Sequence, residues 1–195
     1  SRKSGEFVLY KYLLNVAVKC MQFCHMKVRN AASWAGNLMT FLKYPAFPSD
    51  AVLALTTAQA VLHCCNRDGQ TSTMTMDAFI KTSYDEFVLK KGMFIERLTV
   101  VEAKTHTDRT LVLGSSYLPH NQDVVTVTYK IAQRSTNAHA HVNAGFNFLL
   151  QRSSNSKAPL CKSARVVCGG VSQVIFVAKS TQDYLQNKEL TSNTL

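Results

Sequence analysis

Between residues 7 and 23, Lys11, Asn15 and Lys19 recur every four positions, with Gln22 three further on. Apolar side chains, among them Phe7, Leu14, Val18 and Met21, fill most positions between them. The pattern predicts a helix with one polar stripe on an otherwise buried cylinder. The small-residue stretch that ends at Gly36-Asn37 predicts a loop feeding a short strand or turn. Pro45 and Pro48, three apart, exclude a helix interior and predict a loop over 44–48. Ser49 or Asp50 then caps a short helix to about Thr56. Ala60–Cys65 reads as a strand, Asn66-Arg67-Asp68-Gly69 as a turn, and Gln70–Met76 as the return strand of a hairpin. Asp77 is the expected cap of a short helix over Ala78–Lys81.

Phe87–Leu89, Arg97–Val101 and Thr110–Leu113 each predict a strand, and Pro119 and Asn121 mark a break. Val124–Ile131 and His139–Leu149 alternate as sheet strands do. Arg165–Gly170 predicts a strand running into a flexible turn, Ile175–Ala178 is a further apolar run, and Thr181 opens an amphipathic helix to about Leu190. A helix, then mixed strands and helices, then strands with a closing helix make an α+β chain. The expected units are 1–120 and 121–195.

Composition narrows the function classes. The 195 residues are 46% hydrophobic, enough to bury a core. The formal charge of +10 comes from 22 Lys and Arg against 12 Asp and Glu, which raises nucleic-acid binding. The basic residues are scattered, though, with no run of five like charges and no aromatic interleaving, so no nucleic-acid partner is expected. A positive field also suits an anionic ligand. No apolar run approaches the roughly 18 residues of a membrane span, and the polar, basic Ser1–Ser4 start followed by an interrupted apolar stretch is a poor signal peptide. The cysteines at 20, 24, 64, 65, 161 and 168 have no zinc-site spacing, and reduced thiols in the cytoplasm are expected. His139 and His141 share a strand face without a further ligand nearby, so no metal is expected.

Two segments about a hundred residues apart carry candidate chemistry: Val28-Arg29-Asn30-Ala31-Ala32-Ser33-Trp34-Ala35-Gly36-Asn37-Leu38-Met39, and Tyr129 to Phe146 with Lys130 and Asn137-Ala138-His139-Ala140-His141-Val142-Asn143-Ala144-Gly145-Phe146. Ala31, Ala32, Ala35 and Gly36 would let backbone N–H groups come close to a phosphate. Ser33 adds a hydroxyl, and Asn37 can shape the loop or donate to a ligand. On composition alone the stretch is rather a tightly packed turn, Lys130 an exposed strand lysine and Asp50 a helix cap.

Together, in this order, the segments resemble the FAD-binding region of the molybdenum hydroxylases, the aldehyde oxidase and xanthine dehydrogenase family, most closely its animal aldehyde-oxidase branch. The resemblance implies FAD contacts at Phe23, Ser33, Gly36, Asn37, Asp50, Leu113 (with Leu111 as the alternative) and Lys130, whose ammonium would steady the charge of reduced flavin. It implies no catalytic residue here. It also implies the second half of a PCMH-type FAD-binding domain over 1–120, its first subdomain absent, and a CO-dehydrogenase-flavoprotein-like C-terminal domain over 121–195. In intact relatives electrons would pass from iron–sulfur centres through FAD to oxygen or NAD. Those relatives are homodimers that also hold 2Fe–2S clusters and molybdopterin, for which the domains are missing here. A partial chain of this kind is an FAD-dependent oxidoreductase segment, inactive alone. The alternative is a diverged, cofactor-free fragment acting as a structural or interaction protein.

Overall fold

A computed structural model of the chain describes residues 30–100, 121–134, 138–152 and 158–191. The expected helix over 7–23, the expected strand over 110–113, and the candidate residues Phe23 and Leu113 lie outside the described residues.

The first half is built from α1 (Trp34–Lys43), α2 (Asp50–Thr57), β1 (Val61–Cys65), β2 (Thr71–Thr75), α3 (Met76–Phe79), a π-helical turn (Asp85–Lys90) and β3 (Phe94–Thr99). β1 lies between β2 and β3, antiparallel to both. Leu38, Phe41 and Leu42 of α1, Val52 and Leu53 of α2, Leu62, Phe79 and Phe87 fill one core against that sheet. The second half has β4 (Gln122–Ala132), β5 (Ala140–Gln151), β6 (Leu160–Gly169), β7 (Phe176–Val177) and α4 (Lys179–Leu185). Its strands form one antiparallel sheet in sequence order. The fold is the α+β arrangement the element order predicts.

Register sets what each face of the larger sheet carries, because residues opposite one another point to the same side. One face has the rows Lys130/Asn143/Gly169, Thr128/Gly145/Val167, Thr126/Asn147/Arg165 and Val124/Leu149/Ser163. α2 packs on this face through β5 and β6. The approach is closest at Gly145, where a Cβ would stand 2.0 Å from Thr57 Oγ1. Val167 and Ile175 join the core of the first half, so apolar packing is continuous across the two sheets. The opposite face is covered around Val166 and Cys161 by Leu185 of α4, with Phe146 and Phe148 beside them.

Four local expectations are corrected. The stretch ending at Gly36-Asn37 is not a loop: α1 starts at Trp34, so Gly36 and Asn37 occupy its first turn. Ser33, in extended conformation, caps it, and Leu38, Phe41 and Leu42 supply the buried stripe at helical spacing. The cap of α3 is Thr75, whose hydroxyl accepts from the Ala78 N–H, and Asp77 faces a more distant partner. Phe87–Leu89 lies in the π-helical turn and is not a strand; of the three only Phe87 is buried, its ring meeting Phe79 edge-on at 5.9 Å. α4 stops at Leu185, and Asn187, at φ 58°, turns the chain so that Glu189 bridges back to Leu160.

Candidate functional site

The residues singled out on α1, α2 and β4 meet where α2 starts. At the beginning of α1, Ser33 Oγ accepts from the Gly36 N–H (3.0 Å) and the Ser33 carbonyl accepts from the Asn37 N–H (3.1 Å). A Cβ on Gly36 would stand 3.0 Å from that same Oγ, so a side chain there would press on the cap. Ala31, Ala32, Ser33 and Gly36 are exposed, and the first turn of α1 has no acidic side chain. The exposed N–H end of a helix without a carboxylate favours an anion.

One residue on, Asn37 Oδ1 accepts from the hydroxyl of Ser49. Ser49 is fully buried and caps α2 by accepting from the Val52 N–H at 3.0 Å. Its neighbour Asp50 reaches the larger sheet. Lys130 Nζ donates to Asp50 Oδ2 at 2.7 Å, and Asn143 Nδ2 donates to Asp50 Oδ1 at 2.7 Å and to the Pro48 carbonyl at 3.2 Å. Lys130 and Asn143 face each other across β4 and β5. The side chain of Asp50 is 26% exposed, that of Lys130 10%, and Asn143 is 1% exposed. Asp50 is therefore the member of this group that meets the outside.

Of the sequence-predicted residues, Ser33, Gly36, Asn37, Asp50 and Lys130 are brought into this one contact chain. Ser49, foreseen as a helix cap, and Asn143 also belong to it and were not among the expected site residues. The signal for Asn143 was a polar residue at an inward position of an alternating strand. Its Oδ1 is buried without a partner among the described residues and lies 2.2 Å from where a Gly169 Cβ would stand. Gly169 thus makes room for the amide, and Gly170, at φ 81°, turns the chain against the His141 carbonyl.

A second polar cluster sits at the other end of α2. Arg165 donates through Nε and Nη2 to the Thr56 carbonyl (3.3 and 3.0 Å) and pairs with both carboxylate oxygens of Asp77, 3.1 Å at Oδ2. A cavity of about 280 Å³ lies beside it, lined by Gln59, Val124, Asn147, Arg165 and Gln182 among others. His139 lies just before β5. Its ring packs edge-on against Phe47 at 5.3 Å, and among the described residues no group of three or more His, Cys, Asp or Glu side chains could hold a metal. Burial pushes the thiols of Cys64, Cys161 and Cys168 up, away from reactive thiolate. No helix among the described residues is long and apolar enough to cross a membrane.

Residues 8–100 match the family described as FAD binding domain in molybdopterin dehydrogenase, and residues 127–195 match the CO dehydrogenase flavoprotein C-terminal domain. Similar solved structures include quinoline 2-oxidoreductase from Pseudomonas putida 86 (18% identity, TM-score 0.60) and carbon monoxide dehydrogenase from Hydrogenophaga pseudoflava (13%, 0.62). The carbon monoxide dehydrogenase of Oligotropha carboxidovorans is a third (12%, 0.59). Each alignment covers 89% of this chain and 50% of the solved one, so the chain spans half the length of the structures it matches. At these identities the likeness is one of fold. No curated protein matches the sequence significantly. The two family matches follow one another along the chain, residues 8–100 and then 127–195.

Proposed function

We propose that this chain is the FAD-holding segment of a molybdenum-containing oxidoreductase of the aldehyde oxidase or xanthine dehydrogenase type, most like the animal aldehyde oxidases. The observation that carries the reading is the contact chain from Asn37 through Ser49 and Asp50 to Lys130 and Asn143. It joins the two family-matched segments at the residues the resemblance names. The side chains present fit an anionic dinucleotide on two counts. The exposed, acid-free start of α1 offers N–H groups to a pyrophosphate, and Asp50, backed by Lys130, offers an acceptor beside it. Phe23 and Leu113 would supply apolar cover for the ring. FAD, when bound, supplies the step between iron–sulfur centres and an electron acceptor, oxygen or NAD.

The work of this chain's own residues is to bind and orient. Ser33 fixes the amide at Gly36, Asn37 ties α1 to the cap of α2, and Asp50 and Lys130 hold each other in place at the rim. On this reading residues 1–120 are the second subdomain of the FAD-binding domain and 121–195 the C-terminal domain. The iron–sulfur and molybdenum domains are the partners, the assembly is a cytoplasmic homodimer, and neither nucleic acid nor membrane is bound. The 195 residues by themselves would turn over no aldehyde or purine.

One observation favours a second reading. Asp50 and Lys130 already satisfy each other, as a purely structural ion pair would, so the chain could be a cofactor-free interaction protein. Titrating FAD with the full chain decides between them. Saturable quenching of flavin fluorescence at one equivalent is expected, and no quenching at tens of micromolar protein would select the cofactor-free reading.

A further inference from the structure

We infer that Asn143 is a positioning residue for this site: it fixes the Asp50 carboxylate from behind, so that the outer edge of the carboxylate is presented to a hydroxyl or N–H donor of the ligand. The inference rests on the flavin reading above and extends it to a residue buried beneath the surface.

The orientation of the Asn143 amide is determined by its neighbours. Nδ2 faces Asp50 Oδ1 at 2.7 Å and the Pro48 carbonyl at 3.2 Å, and both are acceptors. A flipped amide would aim an oxygen at two oxygens, so Nδ2 must be where it is. That leaves Oδ1 pointing at Gly169, buried and without a partner among the described residues. A buried acceptor with no donor is unfavourable, and an apolar residue of the same shape would avoid it. The amide is favourable at this position only through what Nδ2 does, which is to hold Asp50 and the Pro48 carbonyl that leads into α2. Lys130 takes the other carboxylate oxygen at 2.7 Å, so both oxygens are anchored from the sheet side. An ionised carboxylate has about four lone-pair directions, and the exposed quarter of Asp50 leaves some of them facing outward. With Asn143 gone, the carboxylate would be free to turn about Lys130 alone, and its outward edge would lose its aim.

The test exchanges the pair. Asn143→Asp, Asp50→Asn and the double exchange are made in the full chain, and each is followed by FAD fluorescence quenching and by thermal melting. Each single change is expected to weaken FAD binding at least tenfold. The double exchange restores an amide–carboxylate hydrogen bond and a negative charge beside Lys130. It should therefore melt above both single variants but below the unaltered chain, because an oxygen of the new carboxylate faces the Pro48 carbonyl that Nδ2 had bonded. Affinity stays at least tenfold weaker because the carboxylate now sits on the buried strand. A double exchange that recovers FAD affinity, or that melts no higher than the single variants, overturns the inference, as does a single Asn143→Asp chain that binds FAD within twofold of the unaltered one. Gly169→Ala is the second approach, since its methyl group displaces the amide without touching Asp50. Weakened binding with a shifted bound-flavin absorption band is expected, and unchanged affinity in a folded Gly169→Ala chain counts against the role. If the unaltered chain fails to bind FAD, the flavin reading itself falls and this inference goes with it. Binding by the unaltered chain with indifferent Asn143 variants sinks the inference alone.

Discussion

Two polar clamps hold the two ends of α2 against the same face of the larger sheet, and they differ in what they leave over. At the N-terminus of the helix, Asp50 meets Lys130 and Asn143; at its C-terminus, the Thr56 carbonyl meets Arg165, which also takes Asp77. Each charge suits the helix dipole at its end. The sheet partners Asn143 and Arg165 stand two rows apart, roughly 13 Å along the strands at the ordinary rise. At the Arg165 clamp four of the five guanidinium N–H groups are engaged, its Asp77 carboxylate is 44% exposed, and a cavity of about 280 Å³ lies beside it. The Asp50 clamp has a carboxylate that is 26% exposed, a buried amide oxygen with no partner among the described residues, and a link through Ser49 to α1. The same chemistry thus ties one end of the helix to α3 and the other to the start of α1, and on the proposed reading the second is the ligand-facing end.

The strongest way to break that comparison is to lift α2 off the sheet between the clamps. In Gly145→Ala the new Cβ would fall 2.0 Å from Thr57 Oγ1 and 3.0 Å from Thr57 Cβ. The hydroxyl is held in place by its bond to the Leu53 carbonyl at 2.8 Å. Overpacking of this kind costs about 3 kcal/mol, a fall in melting temperature of roughly 6–12 °C for a chain of this size. Adding Thr57→Ala should recover at least half of the loss and some FAD affinity, since both clamps are re-seated. A Gly145→Ala chain that melts normally would show that the helix does not depend on this approach.

Smaller changes separate the clamps. Arg165→Ala strands the Thr56 carbonyl and the Asp77 carboxylate. A fully buried pair would cost more, but Asp77 is 44% exposed, so about 2 kcal/mol is expected in chemical denaturation. FAD affinity should stay within twofold. Lys130→Ala should reverse the pattern: stability falls by about 1 kcal/mol, while affinity for FAD falls about tenfold, roughly 1.4 kcal/mol. Equal effects of the two substitutions on binding would erase the distinction between a structural and a ligand-facing end.

How much of this was legible in the sequence follows from the range of each interaction. The hairpin was legible because its determinants are neighbours: Asn66 Oδ1 accepts from the N–H groups of Asp68 and Gln70, and Gly69 takes the φ of 78° that the turn requires. The Ser49 cap and the alternating strands are local in the same sense. The start of α1 was misread because runs of alanine and glycine weaken every pattern, although the Ser33 cap and the Leu38, Phe41, Leu42 spacing were present. Asn143 and Arg165 pair with residues 93 and 88 positions away. Those contacts depend on strand register and on the seating of α2, which no local pattern encodes. Asp50 and Lys130 were singled out only through a family resemblance, and the bond between them came from the fold.

The smallest expected effect gives the sharpest reading of the ligand-facing end. Asn37→Ala removes the acceptor for the Ser49 hydroxyl, which keeps its cap on Val52, so the loss is about 1 kcal/mol in stability and a few-fold in FAD affinity. Asn37→Asp retains an acceptor for Ser49 and adds a negative charge to the first turn of α1, which now has none. The helix dipole favours that charge by up to about 1 kcal/mol, so the Asp variant should melt at or above the temperature of the unaltered chain. The same charge repels a pyrophosphate brought to those N–H groups, and FAD affinity should fall further than in Asn37→Ala, with the gap narrowing as salt rises. Stability and binding then move in opposite directions from one added charge. Should Asn37→Asp bind FAD as well as the unaltered chain at low salt, the start of α1 does not face the phosphates, and the ligand-facing end of α2 must be built from Asp50 and Lys130 without it.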